Sequence, residues 1–188
     1  MISSPSCPNC GAPIANTSSP RCDYCQTPFY LLLNGDAAFI TGDLSAKYKE
    51  FYISDVKDNE FAAKLSLSIL YLLEDLPDLA DQIIAELHVT TPREPRVMLI
   101  DCLSCLKQTS MRKIKLLLVE EILSKLKIVI SNGTDEEIAS AMQIANYIDQ
   151  NYYERNGILK GKLMESILSR PFAFNGNNNT MIDQILSQ

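Results

Sequence analysis

The chain of 188 residues is 46% hydrophobic and carries 17 basic against 23 acidic side chains, a net charge of −6. Length and apolar content allow one domain of ordinary size with a small module beside it. The acidic balance argues against general binding to polyanions, whose non-specific affinity comes from basic residues neutralising phosphates.

The first element in chain order carries the chemistry. Cys7-Pro8-Asn9-Cys10-Gly11 and Cys22-Asp23-Tyr24-Cys25-Gln26 hold two C-x2-C pairs, with eleven residues between Cys10 and Cys22. Four thiolates suit tetrahedral Zn²⁺, which takes four such ligands at about 2.3 Å. Pro8 stiffens the first turn, and Gly11 suits the positive φ that follows the second cysteine of a pair. Six cysteines as three C-x2-C pairs fit a metal in a reducing compartment better than a secreted disulfide scaffold. Two disulfides, a redox dithiol or Fe–S ligation are the alternatives, and the redox motif expects a βαβ context that this chain lacks.

The run Cys-Pro-Asn-Cys-Gly-Ala-Pro-Ile with the later Cys-Asp-Tyr-Cys resembles the zinc-ribbon family. It is similar to short ribbons placed at the start of many bacterial proteins, and the resemblance covers residues 5–40 or so. It implies one structural Zn²⁺ whose four positions are filled by Cys7, Cys10, Cys22 and Cys25, leaving none for water or substrate. Gln26 departs from the pattern, since such ribbons commonly carry Gly there; this bears on the second turn and not on the ligands.

Residues 12–21, rich in Pro, Ser, Thr and Asn, read as an exposed loop. Phe29–Leu33 and Asp36–Ile40 flank Asn34-Gly35, the pattern of a two-residue β-hairpin. Residues 1–42 are therefore expected to form the ribbon with its hairpin, and 43–188 an α-helical domain. A ribbon this small buries little surface unaided, so the metal and docking on the helices both stabilise it.

From Leu44 the periodicity is helical, beginning with a short helix over 44–52. Asp58 or Asn59 caps a longer helix whose stripe is Phe61, Leu65, Ile69, Leu72, Leu73 and Leu76. Pro77 opens the next, with Asp78 and Asp81 in its first turn and Leu79, Ile83, Ile84 and Leu87 facing inward. A helix over 95–109 follows Thr91–Pro95. Another, Lys113 to Ile130, carries Ile114, Leu117, Leu118, Ile122, Leu126 and Ile130 and ends at Asn132-Gly133. Thr134 and Glu137 form a capping box for a helix reaching Tyr152, with Ile138, Met142, Ala145 and Ile148 as its buried face. Asn156-Gly157 is a turn, 158–169 is helical, and Thr180 caps a last short helix. Helix pairs begin near 59, 95 and 135, which suggests helical hairpins in a solenoid-like stack or an irregular bundle. The fold class is mainly α: a zinc ribbon with a β-hairpin, then an all-α body.

Other candidate sites read more simply as structure. Cys102 and Cys105 form a third C-x2-C, but within a helix, where they share a face with Met98 and Leu106 and read as core rather than a redox pair. His88, the only histidine, closes a helix whose C-terminal dipole favours its cation, with no nucleophile in a matching context. Glu74, Asp75, Asp78, Asp81 and Glu86 read as a solvated acidic face. Lys107, Arg112, Lys113, Lys115, Lys125 and Lys127 are candidate phosphate contacts, though Glu120 and Glu121 interrupt them and no aromatics interleave. Tyr147, Tyr152 and Tyr153 with Arg155, Lys160 and Lys162 read as packing with a polar rim.

No leader and no run of roughly 18 apolar residues occurs, so a soluble cytoplasmic protein without a membrane partner is expected. No phosphate-cradling loop, Ser-His-Asp set or HExxH motif occurs either, and no small-molecule substrate or catalytic residue is expected. The function expected is a non-catalytic zinc-ribbon adaptor or accessory subunit that docks onto protein partners in a cytoplasmic assembly. The alternative is a nucleic-acid-binding protein that uses the ribbon and the basic helix surface 107–127.

Overall fold

The computed structural model describes residues 6–14, 21–33, 43–57, 59–109, 115–153 and 180–187. Its helices are α1 (Asp43–Asp55), α2 (Glu60–Leu73), α3 (Pro77–Thr90), α4 (Pro95–Gln108), α5 (Leu116–Asn132), α6 (Asp135–Ile148) and α7 (Thr180–Ser187), with a π-helical turn, Asp149–Tyr153, continuing α6. Among the described residues β pairing is confined to two isolated bridges, Ser6 with Pro13 and Arg21 with Pro28. The expected hairpin turn at Asn34-Gly35, the turn at 156–157 and the helix at 158–169 lie outside the described residues.

The ends of the helices follow local chemistry. Pro77 and Pro95 occupy the first turns of α3 and α4, where a missing N–H costs nothing, and Asp78 and His88 complement the two ends of the α3 dipole. Thr134 caps α6 reciprocally: its backbone N–H donates to Glu137 Oε2 at 2.8 Å, and the Glu137 N–H donates back to Thr134 Oγ1 at 3.4 Å. α2 ends with Asp75 at φ 60, Leu76 N–H donating to Tyr71 O at 2.9 Å and Asp75 N–H to Leu72 O at 3.3 Å, a Schellman arrangement. Gly133 ends α5 without a positive φ; a Cβ there would meet Val129 O at 2.7 Å, so the residue must be small.

Packing places α2 and α4 at the centre. Both are buried nearly all round, as Ala63, Leu65, Leu67, Ile69, Leu70 and Leu72 in one and Val97 to Ile100, Cys102 and Leu103 in the other, the pattern of helices covered on every side. Each helix from α1 to α6 packs on the next. In addition α2 packs on α4 and α4 on α6, and α7 touches all three of them. Met181, Ile182 and Ile185 of α7 are buried in the same core.

Several expected faces hold only in part. On α3, Ala80, Ile84 and Leu87 are buried and Leu79 is exposed; on α5, Val119, Ile122, Leu123, Leu126 and Val129 are buried, while Leu117 is 76% exposed. Of the expected α5 stripe, Ile122 and Leu126 are fully buried and Leu118 and Ile130 pack half-buried against the core, whereas Leu117 points to solvent and Val119, Leu123 and Val129 complete the buried face; Ile114 lies outside the described residues. On α6 the core face is Ala141, Ile144, Ala145 and Ile148, with Ser140 and Gln143 buried beside them and Ile138 and Met142 half-buried. Small residues there let α6 lie against α4. Asn59 stands at the α2 N-cap but makes no side-chain cap bond. Its amide instead donates to Tyr30 Oη at 3.1 Å, tying α2 to the cysteine module.

Thr134→Ala removes the capping oxygen, and the expected outcome is a loss of about 1 kcal/mol of stability, read as a lower urea midpoint at unchanged slope; an unchanged midpoint would show that the cap contributes nothing.

Candidate metal centre

The cysteine module is one unit used twice. Residues 6–13, Ser-Cys-Pro-Asn-Cys-Gly-Ala-Pro, repeat at an offset of 15 as residues 21–28, Arg-Cys-Asp-Tyr-Cys-Gln-Thr-Pro. In the first, Cys7 N–H donates to Ala12 O at 2.8 Å and Gly11 N–H to Cys7 O at 2.9 Å; in the second, Cys22 N–H donates to Thr27 O and Gln26 N–H to Cys22 O, both at 2.9 Å. Gly11 and Gln26 take matching positive φ angles of 72° and 59°. A glutamine therefore sits where glycine carries no steric penalty, a left-handed position that costs other residues about 1–2 kcal/mol.

The duplication brings the four sulfurs together. All lie within 4.8 Å of one another, with Cys7 Sγ 3.7 Å from Cys25 Sγ and Cys10 Sγ 3.7 Å from Cys22 Sγ. A tetrahedron with arms of about 2.3 Å has edges of about 3.8 Å, whereas a disulfide needs about 2.05 Å. The residues thus fit a four-thiolate metal site, and all six cysteines are free. Cys7 and Cys22 are buried with Phe29, against Ala12, Ile14, Tyr30 and Phe51. Cys10 and Cys25 lie at the surface.

The thiols differ electrostatically. Burial pushes the Cys7 thiol up to about 12, against the pull of the Cys10 and Asn9 backbone. The Thr27 hydroxyl, 3.1 Å from the Cys25 sulfur, brings that thiol down to about 6. Thr27 Oγ1 also accepts from Asn9 Nδ2 at 2.8 Å, across the two knuckles. Sequence reasoning missed Thr27 and Asn9; the offset of 15 between the knuckles was the signal that could have found them.

The helices hold this unit firmly. Tyr48 Oη donates to Pro28 O at 2.8 Å, Tyr30 Oη donates to Asp55 Oδ2 at 2.7 Å, and Leu31 N–H donates to Ser66 Oγ at 3.0 Å. The Phe29 and Phe51 rings stack at 5.7 Å. Burial first, and then the nearby cysteines, pushes the Tyr48 phenol well up, so it stays a donor. Leu31 and Leu33 belong to the same core as the helices.

A second cluster joins α3, α4 and α5. His88 Nε2 lies 2.8 Å and Lys125 Nζ 2.9 Å from Asp101 Oδ2, Cys105 Sγ donates to Asp101 Oδ1 at 3.5 Å, and Glu121 pairs with Lys125 at 2.9 Å. Histidine and thiol both address the carboxylate and not each other, which is no nucleophile–base pair. Burial raises the Cys102 thiol far above its ordinary value and the Cys105 thiol to about 12, and both thiols stay protonated, as core residues do.

The remaining candidates scatter. Lys107, only 4% exposed in its side chain, pairs with Asp75 at 2.8 Å, and Lys125 is committed to Asp101 and Glu121. Lys115 and Lys127 are exposed, and Arg112 and Lys113 lie outside the described residues. Of the acidic group, Glu74 pairs with Lys49, Glu86 with Lys64, and Asp81 accepts from Ser104 and Gln108, while Asp78 is exposed. Tyr147 is half-buried against the core; Arg155, Lys160 and Lys162 lie outside the described residues. Among the described residues no helix is long and apolar enough to cross a membrane.

Gln26→Gly relieves the left-handed strain, offset in part by a freer unfolded chain; the expected outcome is tighter Zn²⁺ retention in chelator competition, and weaker retention would contradict the strain. Asp101 supplies a pH test. Burial opposes its charge, but Lys125 and His88 outweigh burial and hold the carboxyl below 3.8. A depressed folded value gives stability that is present above about pH 4 and lost as pH falls through the folded value. Asp101→Asn should therefore lower the denaturation midpoint at pH 7, with the gap to the parent chain closing below pH 4; a constant gap would refute the pairing. Searches with this chain match no family model, no curated protein and no solved structure.

Proposed function

We propose that this protein is a non-catalytic zinc-bearing adaptor or accessory subunit that docks onto protein partners in a cytoplasmic assembly. The observation that carries the reading is the closeness of the four sulfurs, all within 4.8 Å. Four protein ligands complete a tetrahedral Zn²⁺ site, whereas catalytic zinc keeps one position for water or substrate. The module is a zinc ribbon in this reading, and its metal braces the chain without reacting.

Exposed apolar groups on both parts support docking. Tyr24, at the outer turn of the second knuckle, is 74% exposed, and Leu32, Ile53, Leu76, Leu79, Val89, Leu116 and Leu117 are exposed as well. Tyrosine combines a large apolar body with a polar tip and is enriched at interfaces. The pairing of Lys107 and Lys125 with acids favours a protein partner over a phosphate backbone, because a neutralised lysine releases no counterion.

The test joins metal analysis to recovery of the tagged chain from its native cells. The reading expects one Zn²⁺ per reduced chain and a stoichiometric protein partner that resists nuclease and is lost from Cys22→Ser together with the metal. Recovery as a lone monomer would overturn the adaptor role, and a nuclease-sensitive complex would replace it with nucleic-acid binding.

A further inference from the structure

The two knuckles match in backbone but not in the groups that face their outer sulfurs. Cys10 and Cys25 occupy equivalent places, each the second cysteine of its pair and each at the surface. Beside Cys25 stands Thr27, its hydroxyl oxygen 3.1 Å from the sulfur and only 8% of the residue exposed. Asn9 reaches over from the other knuckle, its amide donating to Thr27 Oγ1 at 2.8 Å and standing 4.0 Å from Cys25 Sγ. The equivalent of Thr27 is Ala12, which has no hydroxyl, and the equivalent of Asn9 is Tyr24, whose ring is exposed.

This asymmetry has a chemical meaning once the sulfurs are ligands. A ligating thiolate has no proton to give, so the Thr27 hydroxyl must donate to Cys25 while its oxygen accepts from Asn9. The Asn9 bond thereby leaves the hydroxyl hydrogen free to point at sulfur. A hydrogen bond to an anionic acceptor is about twice as strong as a neutral one, and it draws charge out of the sulfur lone pairs. Outer groups of this kind orient and tune metal ligands. Cys10 has no such side-chain donor among the described residues, so its sulfur keeps more of its charge and its nucleophilicity.

We infer that Asn9 and Thr27 form a clasp that protects Cys25 and leaves Cys10 as the ligand at which electrophiles open the metal site. The inference rests on the four-thiolate zinc reading. With an alkylating agent the step is a displacement. The Cys10 sulfur supplies the electron pair for a new S–C bond, the carbon–iodine bond of iodoacetamide breaks, iodide leaves, and the product is a neutral thioether that no longer holds the cation as a thiolate does. Asn9 and Thr27 are positioning residues in this account, since they act through Cys25.

The experiment treats the full-length, Zn²⁺-loaded chain with limiting iodoacetamide and follows each cysteine by peptide mass mapping, with bound zinc measured on the same samples. Cys10 should react about tenfold faster than Cys25, the scale of one charge-assisted hydrogen bond. Thr27→Val, which keeps the shape and removes the hydroxyl, should erase most of that lead, and Asn9→Ala should narrow it. Thr27→Ser should keep it. Equal rates at Cys10 and Cys25 in the parent chain with zinc bound would overturn the inference alone, as would a lead untouched by Thr27→Val and Asn9→Ala. A parent chain that binds no zinc would overturn it together with the proposed function.

Discussion

Two negative charges about 4 Å apart repel by about 1 kcal/mol in water and by about 4 kcal/mol at an effective dielectric near 20. The sulfurs of Cys7, Cys10, Cys22 and Cys25 sit within 4.8 Å of one another, so ionising them together adds such a repulsion for every pair. Protons or a cation must balance that charge. Protons leave four small thiols making weak contacts, with Cys7 pushed up to about 12 by burial. A divalent cation turns each repulsion into a shared attraction and needs the tetrahedral edges that the 3.7 Å separations provide. The sulfur positions of both knuckles fit that requirement.

The rest of the chain makes the arrangement durable. Pro28 to Leu33 leaves the second knuckle and is received by α1 and α2 through Tyr48, Phe51, Asp55 and Ser66. The hydroxyl of Ser66 sits on the largely buried helix α2, and it is used to satisfy the Leu31 N–H, a buried donor that would cost about 1–3 kcal/mol if left unpaired. Asn59 gives up its capping bond for Tyr30. In both places a polar side chain of α2 or its N-cap is turned to the segment that follows the second knuckle.

What could be read beforehand was local. The clustering of the four cysteines follows from spacing within two short turns, and the starts of α3, α4 and α6 follow from Pro77, Pro95 and the Thr134–Glu137 box. What could not be read was rotational or distant. On α5, Ile122 and Leu126 were legible, but Val119, Leu123 and Val129 were not, because apolar residues flank that stripe on both sides and only contact with α4 and α6 sets which of them are covered. The cluster of His88, Asp101, Cys105 and Lys125 draws on three helices, and neither spacing nor composition links those positions. Gln26 was visible as a departure from glycine, and its φ of 59° shows the departure was absorbed as strain and not by a different turn.

The balance of ordering against burial explains why the first knuckle depends on the second. Fixing a backbone residue costs about 1–2 kcal/mol, and fully burying an apolar side chain returns about 1.5–3 kcal/mol. Among the described residues the buried cluster of the module holds only Cys7, Cys22 and Phe29, too few to order two knuckles by burial. The second knuckle has covalent help, because the chain runs directly from Thr27 into Pro28 and the anchored segment. The first has no such continuation among the described residues, and its ties are the sulfur contacts, the Asn9–Thr27 bond, and Ala12 and Ile14 against the buried cluster. Structural Zn²⁺ contributes about 10–16 kcal/mol in zinc-finger peptides, the scale that a metal held by these four cysteines would add to so weakly tied a knuckle.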